Sequence, residues 1–235
     1  MPRFGSSASA DFSFINAITL QIILSETTPT PTSSITGSDA ILTSIGFLLP
    51  DAAVVASSGS FADGSVTINV GSQSEGFSGG SFGAGSDVSG EWGAAVGGEK
   101  PMDSVGNFDF VSVNTAQVTP FSGANLDGPT GLDGPQGGLL DDSAARGGLG
   151  VIDYSVIISL ILDANPSTSG NQDLTAAQQA AFLSSLSTDS IVEYGSNAAF
   201  GRPGDGETPI PEPSTLLLFG TGLIGVAGFK RRFRQ

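Results

Sequence analysis

The chain has 235 residues, of which 23 are acidic and eight are basic, and it contains neither cysteine nor histidine. These absences exclude disulfide bonds, thiol nucleophiles, Ser-His-Asp triads and the usual zinc sites. Four of the basic residues lie within 230–234, so the rest of the chain has four basic residues against 23 acidic ones. The surface of the body is therefore expected to be strongly negative, which argues against nucleic acid as a partner. The 34 glycines and 13 prolines predict many turns and few helices.

Short segments of apolar or alternating apolar and polar residues, separated by turn residues, predict a mainly β fold. Their spacing is typical of antiparallel sheets, and we expect a β-sandwich-like domain with one short helix. The predicted strands are residues 18–24, 40–49, 53–57, 65–70, 88–96, 108–113, 151–162 and 190–194. Residues 71–90 are rich in glycine and serine and are predicted to form a loop.

The most apolar stretch of the body is 151–162, which is too short to cross a bilayer. Its β-branched residues predict a central strand buried on both faces. After it, Thr175 and Gln178 have the spacing of a capping box and predict a helix that ends at Leu186. The side of this helix that is expected to pack is formed by Ala177, Ala181, Phe182 and Leu186.

Trp92 is the one tryptophan of the chain. Aromatic side chains of this size usually bury, so we expect Trp92 to fill the core; the alternative is a platform on which a sugar ring stacks.

A short tandem repeat, Leu-Asp-Gly-Pro-x-Gly, occupies 126–131 and 132–137. Carboxylates between turn glycines are hard oxygen ligands, so calcium is the one cofactor that this region suggests. The candidate ligands are Asp127, Asp133, Asp141 and Asp142. Two consecutive turns are the favoured interpretation, because Asp-Gly-Pro forms turns by itself and EF-hand spacing is absent. No pair of carboxylates suited to glycosidase chemistry is recognisable, so we expect no enzyme.

The last 26 residues contain three parts in order: a Pro-Glu-Pro turn, sixteen residues without a charge (214–229) and a basic end. A bilayer crossing takes about 20 apolar residues, so a helix docked on a soluble domain is one interpretation. We favour a transmembrane helix, because the run has no polar face and cations follow it at once, as beside a cytoplasmic leaflet. The predicted membrane-facing residues are Leu216, Leu217, Leu218, Phe219, Leu223, Ile224, Val226 and Phe229, and the predicted cytoplasmic stop is Lys230, Arg231, Arg232 and Arg234.

This tail resembles a known export signal in its Pro211-Glu212-Pro213, its Gly220-Thr-Gly222-Leu-Ile-Gly225 and its Lys230-Arg231-Arg232. The signal is the PEP-CTERM sorting signal of Gram-negative bacteria that make exopolysaccharide. The resemblance implies export across the inner membrane and cleavage near the Pro-Glu-Pro by exosortase, a membrane-embedded cysteine transpeptidase. It also implies that the tail is a transient anchor and address.

The body is similar to one family of exosortase-dependent surface proteins of unknown function. The shared features are a first strand like 20–24, the Gly90-Glu-Trp92 step, the segment 126–139, and a final strand like 190–195 before the Pro-Glu-Pro. That family has no assigned catalytic residues, so the resemblance implies none here.

The expected organisation is an N-terminal segment (1–9), a β-rich extracellular domain (10–200), a linker (201–209) and the sorting signal (210–235). Residues 1–9 contain no apolar core, so we expect the signal peptide to be missing from this sequence. The leading hypothesis is a non-enzymatic structural protein of the cell surface or the extracellular matrix, in contact with exosortase, transiently with the inner membrane, and with exopolysaccharide in a biofilm. The alternative is a carbohydrate- or calcium-binding surface module.

Overall fold

The computed structural model describes residues 7–27, 37–47, 54–55, 64–101, 107–114, 118–127, 131–141, 147–163, 173–186, 190–196 and 199–201. The chain divides into two units, Met1–Pro203 and Gly204–Gln235, and all the described residues lie in the first. These residues form thirteen β-strands, one α-helix and two short 3-10 helices. The predicted mainly β class, with antiparallel sheets and one α-helix in the described part, is confirmed.

The first sheet is antiparallel and has β11 (Ser155–Asp163) near its centre. One side of β11 pairs with β2 (Thr19–Glu26), which in turn pairs with β1 (Ala8–Phe14). The other side of β11 pairs with β5 (Gly64–Ile68) and, further along, with β4 (Val54–Val55). Strands distant in sequence therefore meet at β11.

The second sheet has six antiparallel strands, with β3 (Leu42–Phe47) in an interior position. The order of its strands is β13 (Ala199–Gly201), β12 (Ser190–Tyr194), β3, β8 (Asn107–Ser112), β7 (Gly93–Pro101) and β9 (Thr119–Pro120). A separate two-stranded ladder is formed by β6 (Ser74–Glu75) and β10 (Val151–Ile152).

One apolar core contains side chains from both large sheets. Alternation along β2 buries Leu20, Ile22 and Leu24 and leaves the residues between them half-buried. The same core includes Ile158 of the first sheet, Ile45, Phe47, Val111 and Tyr194 of the second, and Phe182 and Leu186 of the helix. The two sheets are therefore held by mutual burial of their apolar faces.

The helix α1 (Ala176–Leu186) begins with the predicted capping box. The Gln178 N–H donates to Thr175 Oγ1 at 3.3 Å, and the Thr175 N–H donates to Gln178 Oε1 at 2.8 Å. Phe182 and Leu186 are buried as predicted, and the ring of Phe182 contacts the ring of Phe14 edge-on with centroids 5.7 Å apart.

The predicted inclusion of Ala177 and Ala181 in the packed side of α1 is wrong, because both residues are exposed. The buried or half-buried residues of the helix include Gln178, Gln179, Phe182, Leu183 and Leu186. They follow the i, i+3, i+4 spacing of one helix face, and each alanine lies about 100° of helix rotation away from its neighbour on that face.

The predicted strand 88–96 is wrong in its first half, where a 3-10 helix spans Ser89–Glu91. Asp87 precedes this helix by two residues, and its Oδ1 accepts hydrogen bonds from the N–H and the Oγ of Ser89 at 2.9 and 2.6 Å. Strand β7 begins only at Gly93.

The predicted strand 151–162 is interrupted at Asp153 and Tyr154, which separate β10 from β11. Tyr154 has a φ of 62°, a left-handed conformation that breaks a strand. The outer face of β11 is only half-buried at Ile157 and Ile161, so the prediction of burial on both faces is wrong as well.

Four described strands were not predicted, namely β1, β6, β9 and β13. Strand β1 begins at Ala8, within the segment that was assigned to the N-terminus, and β13 ends at Gly201, the first residue of the predicted linker.

Trp92 lies in the core, as expected, with 0% of its surface exposed. A fully buried indole has no face open to a sugar, so the structure contradicts the alternative stacking role of this residue. The indole N–H has no hydrogen-bond acceptor.

Among the described residues, no helix has the length and apolar character needed to span a bilayer. The predicted transmembrane run 214–229, the sorting residues and the basic end lie outside the described residues.

We predict that Trp92→Ala lowers the free energy of unfolding by about 3–5 kcal/mol, because it leaves a large cavity in the shared core. Urea unfolding of the full chain in mild detergent, followed by circular dichroism, measures the loss. Trp92→Phe is the matched control and should cost markedly less, since it keeps an aromatic ring and removes an N–H that has no acceptor. Equal stability of Trp92→Ala and the wild type would contradict the core role.

Candidate functional site

The structure brings together two of the four predicted calcium ligands and adds a third acid. Asp127 and Asp133 occupy equivalent positions in the tandem repeat, and their carboxyl groups are close enough for the charge of Asp133 to raise the pKa of Asp127. Their charges also act on Glu91, which lies at the end of the 3-10 helix before β7. We call Glu91, Asp127 and Asp133 the Glu91 cluster.

The repeat is anchored by its leucines. Leu126 and Leu132, the first residue of each copy, are 3% and 8% exposed. The residue that follows each leucine is next to the core; Asp127 is half-buried and Asp133 is exposed. Gly134 and Gly137 have φ values of 85° and 82°, so the predicted turn chemistry is present in the second copy.

Backbone hydrogen bonds of the residues on either side of Glu91 hold it in the interior. The Gly90 N–H donates to the carbonyl of Ala124 at 2.8 Å, and the Phe121 N–H donates to the carbonyl of Trp92 at 2.9 Å. The Glu91 side chain is 1% exposed, and its Oε1 accepts a short hydrogen bond from the Leu126 N–H. Its Oε2 has no hydrogen-bond partner.

Gly137 provides the space for this carboxylate. A Cβ atom at position 137 would lie 2.9 Å from Glu91 Oε2 and 3.0 Å from Glu91 Cβ. Space and the positive φ therefore both require glycine at this position.

Asp127 also has one carboxylate oxygen without a partner. Its Oδ2 accepts a short hydrogen bond from Gln136 Nε2, while its Oδ1 is buried and accepts none. Gln136 is itself held, because its Oε1 accepts a hydrogen bond from the Gly150 N–H at 3.4 Å. The Glu91 cluster thus contains two buried carboxylate oxygens with no donor.

Burial raises the pKa of Glu91 to about 7, although the hydrogen bond from Leu126 opposes the rise and the charges of Asp127 and Asp133 add to it. Burial and the neighbouring Asp133 carboxylate likewise raise the pKa of Asp127 above its usual range. Two carboxylate oxygens of this cluster, Glu91 Oε2 and Asp127 Oδ1, are therefore buried without a hydrogen-bond donor.

A second group of acids, the Asp153 cluster, contains Asp153, Glu75 and Asp141. Asp153 is 7% exposed and its Oδ1 has no hydrogen-bond partner. Burial and the charge of Glu75 raise the pKa of Asp153 to about 6. The carboxylate of Asp141 raises the pKa of Tyr154, whose ring is about half exposed.

The predicted calcium ligands thus divide between two places. Asp127 and Asp133 are in the Glu91 cluster, Asp141 is in the Asp153 cluster, and Asp142 lies outside the described residues. Within the described ranges, no group of three or more acidic side chains is arranged to hold a metal ion.

A cavity of about 270 Å³ is lined by chain neighbours of the Glu91 cluster. Asn125 spans it, because its Nδ2 donates to the carbonyls of Gly90 and Gly131 at 3.4 and 3.1 Å. The lining residues are Gly90, Pro120, Phe121, Ser122, Gly123, Asn125 and Gly131.

The C-terminal tail defines the class of the protein. Its Pro-Glu-Pro sequence, uncharged run and basic end occur in the order typical of a signal for export and sorting at a membrane. Residues 209–232 match the family model of the PEP-CTERM protein-sorting motif. The chain is therefore a PEP-CTERM sorting domain-containing protein, and the motif implies export and exosortase-dependent processing. No curated protein and no solved structure matches the chain.

We predict that stability falls as the pH rises through the range in which the two raised carboxyl groups ionise. In the unfolded chain Glu91 and Asp153 ionise near 4.5 and 3.8, whereas in the folded chain they keep their protons up to about 7 and about 6. The folded state binds more protons between these values, so the free energy of unfolding decreases from about pH 4 to about pH 7 and then levels off.

Melting temperatures in EDTA across this range measure the effect. Glu91→Gln should flatten the slope above about pH 4.5 and melt several degrees higher than the wild type at about pH 8. Asp11→Asn, which removes one charge from an exposed position of β1, is the control and should leave the slope unchanged. A wild-type midpoint that rises steadily from pH 4.5 to 7 would refute the assignment.

Proposed function

We propose that this protein is a non-enzymatic structural component of the bacterial cell surface or extracellular matrix. Exosortase processes its tail, and the mature β domain, which we take to be a sandwich, remains with exopolysaccharide. The observation that carries this proposal is the sorting motif at 209–232. Its uncharged run 214–229 supports a transient anchor in the inner membrane, with Lys230 and the following arginines on the cytoplasmic side.

The absence of histidine and cysteine supports a non-enzymatic role, because it removes the commonest nucleophiles and general bases. Carboxylates alone can hydrolyse glycosides, and Glu91 near Asp127 has the raised pKa of a general acid. However, the Glu91 side chain is 1% exposed, so a sugar ring cannot reach it.

A binding module is the second candidate. The hypothesis of a sugar-binding module required Trp92 as an aromatic platform, and Trp92 is buried. The two carboxylate oxygens without donors in the Glu91 cluster favour the calcium-binding version.

We predict that deletion of residues 216–229 converts the protein to a freely soluble periplasmic form, because the deletion removes the segment that partitions into hydrocarbon. Membrane sedimentation and immunoblotting of the native host measure this. A deletion variant that still sediments with membranes would show that the anchor is elsewhere.

The sorting step can be tested separately by replacing Pro211, Glu212 and Pro213 with alanine while keeping the apolar run intact. This variant should remain in the membrane fraction at its full mass, whereas the wild type should be shortened and recovered with the exopolysaccharide. Replacement of Pro203 and Glu207 with alanine is the matched control, because it removes a proline and an acid upstream of the motif, and it should leave processing unchanged. Normal processing of the motif variant, or wild-type protein absent from the exopolysaccharide fraction, would contradict the proposal.

A further inference from the structure

We propose that the Glu91 cluster binds one calcium ion, with Glu91 Oε2 and Asp127 Oδ1 as its protein carboxylate ligands. Both oxygens are buried, both lack hydrogen-bond donors, and both belong to the same cluster. The remaining ligands of the ion are water molecules and neutral oxygens of the surrounding loops.

The first argument is the contrast with other acids of the same domain. Glu193 is also fully buried, but its Oε2 accepts a hydrogen bond from Ser44 Oγ at 2.8 Å. Asp87 accepts three hydrogen bonds, two from Ser89 and one from the Ala124 N–H. Burial alone would raise the pKa of Asp87, but these donors outweigh it and lower the pKa. The fold thus supplies donors to these carboxylates and leaves Glu91 Oε2 without one.

The second argument is charge. A buried carboxylate oxygen that has no hydrogen-bond donor is strongly unfavourable. A proton can remove the charge of Glu91 in acid solution, and a cation can balance it in neutral solution. Asp127 and Asp133 add negative charge at the same place, which makes a divalent cation the better match.

The chemistry of the donors selects calcium among divalent cations. All the available ligands are oxygens, because the chain has no cysteine and no histidine. Magnesium requires near-ideal octahedral geometry and gives up its waters reluctantly. A site made from a 3-10 helix and a turn repeat, with only two carboxylate ligands, suits the longer and more variable bonds of calcium. Asp133 then adds its charge from outside the ligand shell.

The expected affinity is that of extracellular modules, with a dissociation constant of about 10⁻⁴–10⁻³ M. This part of the inference rests on the proposed export, which exposes the domain to external calcium. The binding itself does not depend on export and is tested on the purified chain.

The experiment is a thermal melt of the full chain in mild detergent at about pH 7.5, first in EDTA and then with CaCl₂. At about 10 mM calcium the midpoint should rise by about 3–6 °C, since a ligand that binds only the folded state stabilises it. Equal magnesium should give a much smaller rise. Isothermal titration calorimetry should give one site per chain.

The variants separate this site from general charge effects. Glu91→Gln and Asp127→Asn should each abolish the calcium-induced rise, and Asp127→Asn serves if Glu91→Gln does not fold. Asp11→Asn and Asp153→Asn should keep the rise, because Asp11 is exposed on β1 and Asp153 belongs to the other cluster.

An unchanged wild-type midpoint at about 10 mM calcium would overturn the proposal. So would a rise that Glu91→Gln and Asp127→Asn both retain, because the ion would then bind elsewhere. Neither result bears on the sorting of the tail, which is measured by cell fractionation.

Discussion

Burial of the two sheets against each other is the interaction on which the rest of the structure depends. Alternate side chains of β2 and β11 meet those of β3, β8 and β12 in one core, and the loops are held where they contribute to it. Trp92 and Leu126 are both members of that core, and they hold the segments that contain Glu91 and Asp127. The position of the acidic cluster is therefore a consequence of apolar packing, which fixes the backbone whatever the electrostatic cost at Glu91.

Local patterns predicted those elements whose structure is decided locally. The alternation at 65–70 and the apolar run at 40–49 correspond to β5 and β3, residues 190–194 form β12, and the capping box starts α1. Strand β1 was missed because Ala8 and Ala10 give its inner face little apolar signal, and its burial depends on pairing with β2. The break at Tyr154 was missed because it is imposed by distant partners, among them the carbonyl of Gln73, which accepts the Asp153 N–H.

The sequence predicted part of the candidate site. The repeat placed Asp127 and Asp133 at equivalent positions, and the structure makes them neighbours. Glu91 was missed because it is 36 residues earlier in the chain than Asp127 and no local motif connects them. One signal was available: Glu91 immediately precedes the single tryptophan, whose burial holds the neighbouring backbone close to the core. Asp153 is also next to a fully buried residue, Ile152.

The acidic composition and the sorting tail favour the same kind of environment. Protons or external cations can balance the buried carboxylates of a domain that has few basic residues. If the protein is exported and the Glu91 cluster binds calcium, the affinity is expected to be as low as that of extracellular modules. The Glu91 cluster would then stay empty until the domain encounters external calcium. Binding would then add stability where the protein works, because an ion that occupies only the folded state shifts the folding equilibrium toward it. The same acids that weaken the isolated domain would thus strengthen it at the cell surface.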